Sequence, residues 1–109
     1  MTNAALPADV FRAISDPTRR RILDVLATGE HAVRDLLSHF DVSQPAISQH
    51  LKALKSVGLV RERKEGRFRI YSLDATPLRL VHDWTAHYEQ FWNEKLDALG
   101  DFLDRTGEE

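Results

Sequence analysis

Two amphipathic segments stand only three residues apart near the middle of the chain. The first, AVRDLLSHF, carries its apolar side chains at helical spacing. The second, QPAISQHLKALKSVG, follows a capping residue, Ser43, has a proline in its first turn and ends at Gly58. The residues between them, Asp41 to Ser43, are enough only for a tight turn. The sequence therefore predicts two helices joined by that turn, with the first bracing the second, which covers residues 44–57.

The second helix has two faces of different chemistry. At about 100° per residue, Ile47, Leu51 and Leu54 fall together on an apolar side. The other side carries amides, hydroxyls and ammonium groups without a carboxylate, whereas an ordinary surface helix balances its lysines with glutamates. Such a face suits the acceptor edges and phosphates of DNA; a solvated amphipathic helix is the alternative. The residues of this segment predicted to contact DNA are Ser43, Gln44, Pro45, Ser48, Gln49, His50, Lys52 and Lys55.

His50 lies at the edge of the apolar arc, so a packing role against a neighbouring helix is the alternative for this side chain.

After Gly58 the apolar residues no longer recur at helical spacing. β-branched and aromatic residues interleave with arginines around Glu65-Gly66, which predicts a two-stranded hairpin over 59–73. Its cations can follow a DNA backbone or a minor groove, or merely protect strand edges. The hairpin residues predicted to contact DNA are Arg63, Lys64, Arg67 and Arg69.

The distribution of charge favours DNA as the partner, although the total is −2. Residues 43–69 carry 7 basic and 2 acidic side chains, residues 1–42 carry 5 and 6, and residues 70–109 carry 3 and 9. The basic charge is therefore concentrated in the second helix and the hairpin, which is the pattern that phosphate binding requires.

One long helix is predicted over 76–104, beginning at Thr76-Pro77. Its apolar stripe is about seven turns long, more than a small domain covers, so we expect a homodimer paired through this helix. An aromatic-lined ligand pocket is the alternative. The residues assigned to the dimer interface are Val10, Phe11, Ile14, Trp84, Tyr88, Phe91, Trp92, Leu96, Leu99, Phe102 and Leu103.

Several classes of function find no support in the sequence. The chain has no cysteine, which excludes disulfides and thiolate metal sites. It has no apolar run of membrane-spanning length, no secretory signal pattern and no catalytic motif such as GxSxG or HExxH. We expect one cytoplasmic domain over residues 1–109 that is not an enzyme and binds no cofactor.

Helix, tight turn, helix and basic hairpin form a winged helix-turn-helix, a mostly α fold here predicted to have five helices and a two-stranded wing. The stretches DPTRRRILDVL, VSQPAISQHLKALKSVGLV and EGRFRIYSL resemble ArsR/SmtB-type bacterial repressors over about residues 10–73. The resemblance implies a homodimer and repression relieved by a signal. It also implies that residues 44–57 are the recognition helix and residues 59–73 the wing. A two-fold dimer would bind an inverted-repeat operator.

The chain departs from the metal-sensing members of that family. Where they carry a cysteine motif in the third helix, this chain reads HAVRDLL, so it resembles a cysteine-free branch. Its last helix contains His82, Asp83, His87 and Glu89, but His82 and His87 are about 140° apart around a helix. We therefore expect no metal site. A metal sensor that uses these residues, or a winged helix that binds protein, remains the alternative.

Overall fold

Six α-helices and three short strands make up residues 7–107, the part of the chain that this computed structural model describes. Residues 1–6, which belong to the segment without a secretory signal pattern, and residues 108–109 lie outside it. The helices are α1 (Pro7–Ala13), α2 (Pro17–Leu26), α3 (Val33–Leu37), α4 (Gln44–Ser56), α5 (Arg79–Ala86) and α6 (Glu89–Gly107). The strands are β1 (His31–Ala32), β2 (Val60–Glu65) and β3 (Phe68–Leu73), and a 3-10 turn covers Thr76–Leu78.

Side chains cap the starts of two helices, and the sequence predicts the cap at Ser43. The Asp16 carboxylate accepts a hydrogen bond from the backbone N–H of Arg19 at 3.0 Å and caps α2, with Pro17 as the first helical residue. The Ser43 hydroxyl accepts one from the N–H of Ala46 at 3.3 Å and caps α4. The helix α4, Gln44–Ser56, begins at the predicted residue and ends one residue before the predicted boundary at 57.

The wing is part of a three-stranded antiparallel sheet rather than a separate two-stranded hairpin. The strand order is β1-β3-β2. The added strand, β1, is only two residues long and pairs His31 with Tyr71 and Ala32 with Ile70. At the hairpin turn, Gly66 has a φ of +63°, a conformation that glycine adopts without steric cost. The strand β1 ties the wing to the start of α3.

The apolar face of α4 lies in the core, as predicted. Ile47, Leu51 and Leu54 are almost wholly buried, together with side chains from α1, α2, α3 and the wing. This core also contains Val10, whose exposure is 0%. The assignment of Val10 to the dimer interface was wrong, because the side chain has no surface left for a partner.

The predicted helix over 76–104 is divided into the 3-10 turn, α5 and α6. The break lies at His87 and Tyr88, whose N–H groups donate to the carbonyls of Trp84 and Thr85, three residues back, in place of the α-helical pattern. This division accounts for six helices where five were predicted. The helix α3 is also shorter than its apolar spacing indicates, since similar three-residue turns follow Leu37. The winged helix-turn-helix architecture is nevertheless confirmed.

Candidate nucleic-acid interface

The polar face of α4 is open to solvent. Its apolar face holds the helix on the core, so the polar side chains project away from the body of the subunit. The exposed residues of this face are Gln44, Pro45, Ser48, Gln49, Lys52 and Lys55. Amide and hydroxyl groups on such a face can pair with base edges in a major groove.

His50 does not belong to that exposed face. Its side chain is 23% exposed and turns toward the start of α2, where its Nδ1 lies 3.5 Å from Nη1 of Arg19 and 3.9 Å from Oδ2 of Asp16. The hydrogen bond from the N–H of Arg19 lowers the pKa of Asp16, and the nearby His50 lowers it further. The geometry therefore favours the packing role over DNA contact for His50.

The wing has an inner face toward α4 and an outer face away from it. Residues paired across antiparallel strands share a face, which groups Lys64 with Arg69 and Glu62 with Tyr71 on the inner face. Arg63 pairs with Ile70 on the outer face. There its guanidinium binds the carboxylates of Glu30 and Glu65, which raise its pKa.

Arg63 is thus separated from the other cations with which the sequence analysis grouped it. Its partner Glu30 is 33 residues away along the chain, too far for a local pattern to reveal. Among the cations of α4 and the wing, all of which the structure describes, Lys52, Lys64 and Arg67 are exposed and have no ion pair. These three are the best placed to meet phosphates.

Glu62 joins α4 to the wing, a contact that the sequence did not predict. Its two carboxylate oxygens bind Nζ of Lys55 at 2.8 Å and Nη1 of Arg69 at 2.9 Å. The hydrogen bond from Lys55 is the largest cause of the lowered pKa of Glu62, and Arg69 adds to it. Its place as one of only two acids among seven bases in residues 43–69 is a signal that could have pointed to it.

A groove runs between α4 and the inner face of the wing. Its lining combines hydrogen-bonding and charged side chains from both elements, including Gln44, Ser48, Lys52, Lys55, Glu62 and Arg69. A protruding helix beside a basic hairpin is the arrangement with which winged helix-turn-helix proteins meet DNA: the helix reads the major groove and the hairpin lies on the backbone.

Comparison with known proteins agrees with this arrangement. The family model for bacterial regulatory proteins of the arsR family matches residues 16–62. The transcriptional repressor SdpR of Bacillus subtilis is 42% identical over 80 residues, which are 73% of this chain and 89% of that protein. The HTH-type transcriptional regulator Rv2034 of Mycobacterium tuberculosis is 37% identical over 109 residues, which are 100% of this chain and 99% of that protein. The chain belongs to the ArsR family.

Solved structures of ArsR regulators share the fold. The crystal structure of an ArsR family transcriptional regulator superimposes with a TM-score of 0.69 at 32% identity, over 79% of this chain and 94% of that one. The crystal structure of a possible transcriptional regulator for arsenical resistance superimposes with a TM-score of 0.65 at 44% identity, over 84% of this chain and 92% of that one. This ArsR chain is accordingly a DNA-binding transcriptional regulator and not an enzyme.

The last two helices of this ArsR chain carry an exposed apolar face. Phe11 of α1 contacts Trp84 edge-on at 5.5 Å between ring centroids, and Trp84 contacts Tyr88 at the same distance. Tyr88 in turn lies 6.4 Å from Phe91 between ring centroids. Each side chain of this face is 48–60% exposed. Its members, here called the aromatic face, are Trp84, Tyr88, Phe91, Trp92, Leu96, Leu99, Phe102 and Leu103.

The candidate metal ligands of α5 and α6 form no cluster of three or more metal-ligating side chains, nor does any other group within residues 7–107. Nδ1 of His82 lies 3.5 Å from Oδ1 of Asp83, and Nδ1 of His87 lies 3.1 Å from the carbonyl oxygen of Trp84.

No helix within residues 7–107 is long and apolar enough to cross a membrane.

Proposed function

We propose that this ArsR chain is a homodimeric repressor that acts in the cytoplasm and binds an inverted-repeat operator without responding to metal ions. The exposed polar face of α4 beside the wing's unpaired cations is the observation that carries the proposal. Gln44, Ser48 and Gln49 are assigned to base edges. Lys52, Lys64 and Arg67 are assigned to phosphates, which set position and affinity but carry no sequence information.

The aromatic face supports the homodimer. Eight large apolar side chains, each about half exposed, form a surface of the size that soluble proteins normally cover with a partner. A second copy of the same chain offers the same face, and a two-fold axis between the copies makes the contact self-complementary. Two α4 helices related by that axis would enter successive major grooves, which is why an inverted repeat is the expected operator.

Two observations support independence from metal ions. The full sequence has no cysteine to supply the thiolates of the usual soft-metal sites. His87 directs Nδ1 to the carbonyl of Trp84, and His82 lies beside Asp83, so the two imidazoles have separate neighbours. Relatives named as arsenic, arsenical, mercury and cadmium resistance regulators match about 60–71% of this chain, so metal response is a property to test directly.

The test is footprinting of the purified protein on its own promoter region, followed by titration of the protected sequence and a scrambled duplex of equal length. We expect protection of an inverted repeat and a preference of at least about a thousandfold for that repeat. Equal affinity for the two duplexes would refute sequence-specific regulation.

In a second experiment, zinc, cadmium and arsenite are added to the complex with the operator. Release of DNA at stoichiometric metal would refute metal independence and favour His82 and Asp83 as ligands.

A further inference from the structure

We propose that Glu62 is a specificity-determining residue: by binding both Lys55 and Arg69 it withholds two cations from DNA phosphates and so limits binding to DNA of any sequence. The inference rests on the proposed DNA-binding function. It concerns one of the two acidic residues that stand among seven basic residues in segment 43–69.

The position of Glu62 makes it a bridge between the two DNA-facing elements. Its side chain is only 12% exposed, whereas those of Lys55 and Arg69 are 55% and 58% exposed. Lys55 reaches it from α4, and Arg69 reaches it from β3, across the sheet from β2. The charged groups of both cations thus lie against Glu62, which lines the groove, although more than half of each side chain is exposed.

The consequence follows from how the two kinds of DNA binding depend on charge. Non-specific affinity comes almost entirely from cations that neutralise phosphates, whereas specificity comes from contacts to base edges. A carboxylate that holds two cations lowers the non-specific affinity and leaves the amide and hydroxyl groups of α4 free to contact base edges. Its own charge also repels phosphates that enter the groove. Glu62 therefore widens the difference between operator and random DNA.

The glutamine variant isolates the charge. Glu62→Gln keeps the length of the side chain and an oxygen that can accept a hydrogen bond, but it no longer holds two cations by charge. The matched control is Glu65→Gln, on the same strand, which makes the same change of net charge. Glu65 binds Arg63 on the outer face, away from the groove.

The measurement is the affinity of wild type, Glu62→Gln and Glu65→Gln for the footprinted operator and for a scrambled duplex, over a series of salt concentrations. For Glu62→Gln we expect several-fold tighter binding to scrambled DNA and a smaller operator preference. We also expect a log K versus log salt slope steeper by about 0.9 for each cation that reaches a phosphate. Glu65→Gln should change the preference and the slope much less.

Unchanged slope and preference in Glu62→Gln, with wild type still selective, would refute the role of Glu62 while leaving the proposed function intact. Loss of selectivity in wild type itself would instead refute the proposed function. A structural role alone predicts weaker binding to both duplexes at an unchanged slope, which also refutes the proposal.

A second variant keeps the test valid if Glu62→Gln is poorly folded. Lys55→Gln in the wild-type background should leave the log K versus log salt slope for scrambled DNA nearly unchanged, because Glu62 already holds that ammonium group away from phosphates. A large loss of affinity with a shallower salt slope would mean that Lys55 is free to contact phosphates and would overturn the proposal.

Discussion

The imidazole of His50, on α4, lies beside the carboxylate of Asp16, which caps α2, with Nδ1 and Oδ2 3.9 Å apart. The same carboxylate accepts a hydrogen bond from the backbone N–H of Arg19. Nη1 of the Arg19 guanidinium lies 3.5 Å from Nδ1 of His50. The helix α4 is therefore oriented by a polar contact as well as by its buried apolar side chains. Asp16 has two structural tasks, one within α2 and one toward α4.

Asp16→Ala should lower the free energy of unfolding by about 0.5–2 kcal/mol, the usual cost of losing a helix cap. Chemical denaturation measures it. The control is Asp24→Ala, an exposed site in the same helix, which should stay within about 0.5 kcal/mol of wild type. Equal changes in the free energy of unfolding at the two sites would show that the cap contributes nothing to stability.

The lowered pKa of Asp16 gives a pH dependence with a definite sign. Because its pKa is lower in the folded than in the unfolded chain, the ionised carboxylate stabilises the fold at pH values above the unfolded pKa. This contribution is lost as the pH falls through the folded pKa. The stability difference between wild type and Asp16→Ala, measured by denaturation from neutral pH into acid, should therefore shrink. A difference that grows toward acid would contradict this assignment.

Arg67→Ala and Arg63→Ala should differ although both remove one guanidinium from the wing. Arg67 is exposed without an ion pair, while Arg63 is held by Glu30 and Glu65 on the outer face. We expect Arg67→Ala to weaken binding to all duplexes and to reduce the salt slope by about 0.9 per subunit. Arg63→Ala should leave the slope nearly unchanged, and fluorescence anisotropy over a salt series measures both. A larger effect at Arg63 would place the outer face on DNA.

The contrast between Arg63 and Arg67 shows what the sequence could and could not predict. The two faces of α4 and the turns at Gly58 and Gly66 are local patterns, so the bounds of this helix and of the hairpin were predicted to within a residue or two. The ion pair from Arg63 to Glu30 and the strand β1 depend on pairing between distant residues, which periodicity does not encode.

The break at His87 was missed for a different reason. The apolar spacing continues from α5 into α6 without interruption, so the pattern resembles one helix although the backbone turns. Likewise, the apolar character of Val10 predicted burial but not which surface would bury it. It lies in the core of the subunit, whereas Phe11, the next residue, contacts Trp84 at the margin of the aromatic face.

Substitution of two glycines by alanine should have opposite effects on stability. Gly66 has a φ of +63°, which strains any residue with a Cβ, so Gly66→Ala should destabilise the wing by roughly 1 kcal/mol. Gly100 lies inside α6, where an added Cβ meets no atom within 4 Å. Gly100→Ala should stabilise the protein by about 0.5–1 kcal/mol. Thermal and chemical denaturation distinguish the two, and a stabilised Gly66→Ala would contradict the turn geometry.

The double substitution Phe91→Ala with Trp92→Ala should abolish dimerisation and operator binding together. The two rings are 60% and 48% exposed in the single subunit, and truncation of a central aromatic at an interface commonly costs about 2 kcal/mol or more. Because the interface is two-fold symmetric, each substitution removes the same contacts from both subunits. Neither residue belongs to the hydrophobic core, so the subunit should remain folded, as circular dichroism can verify.

The matched control for the aromatic face is Asp97→Ala. Asp97 is exposed on α6, and at 100° per residue it lies opposite the centre of the stripe that contains Trp92 and Leu99. Sedimentation at micromolar concentration should give a dimer for wild type and Asp97→Ala and a monomer near 12.5 kDa for the double variant. Because one α4 helix then contacts only one half-site, the double variant should also lose its preference for the inverted repeat. A double variant that remains dimeric would show that the subunits associate through another surface, and a monomer that still selects the repeat would separate dimerisation from recognition.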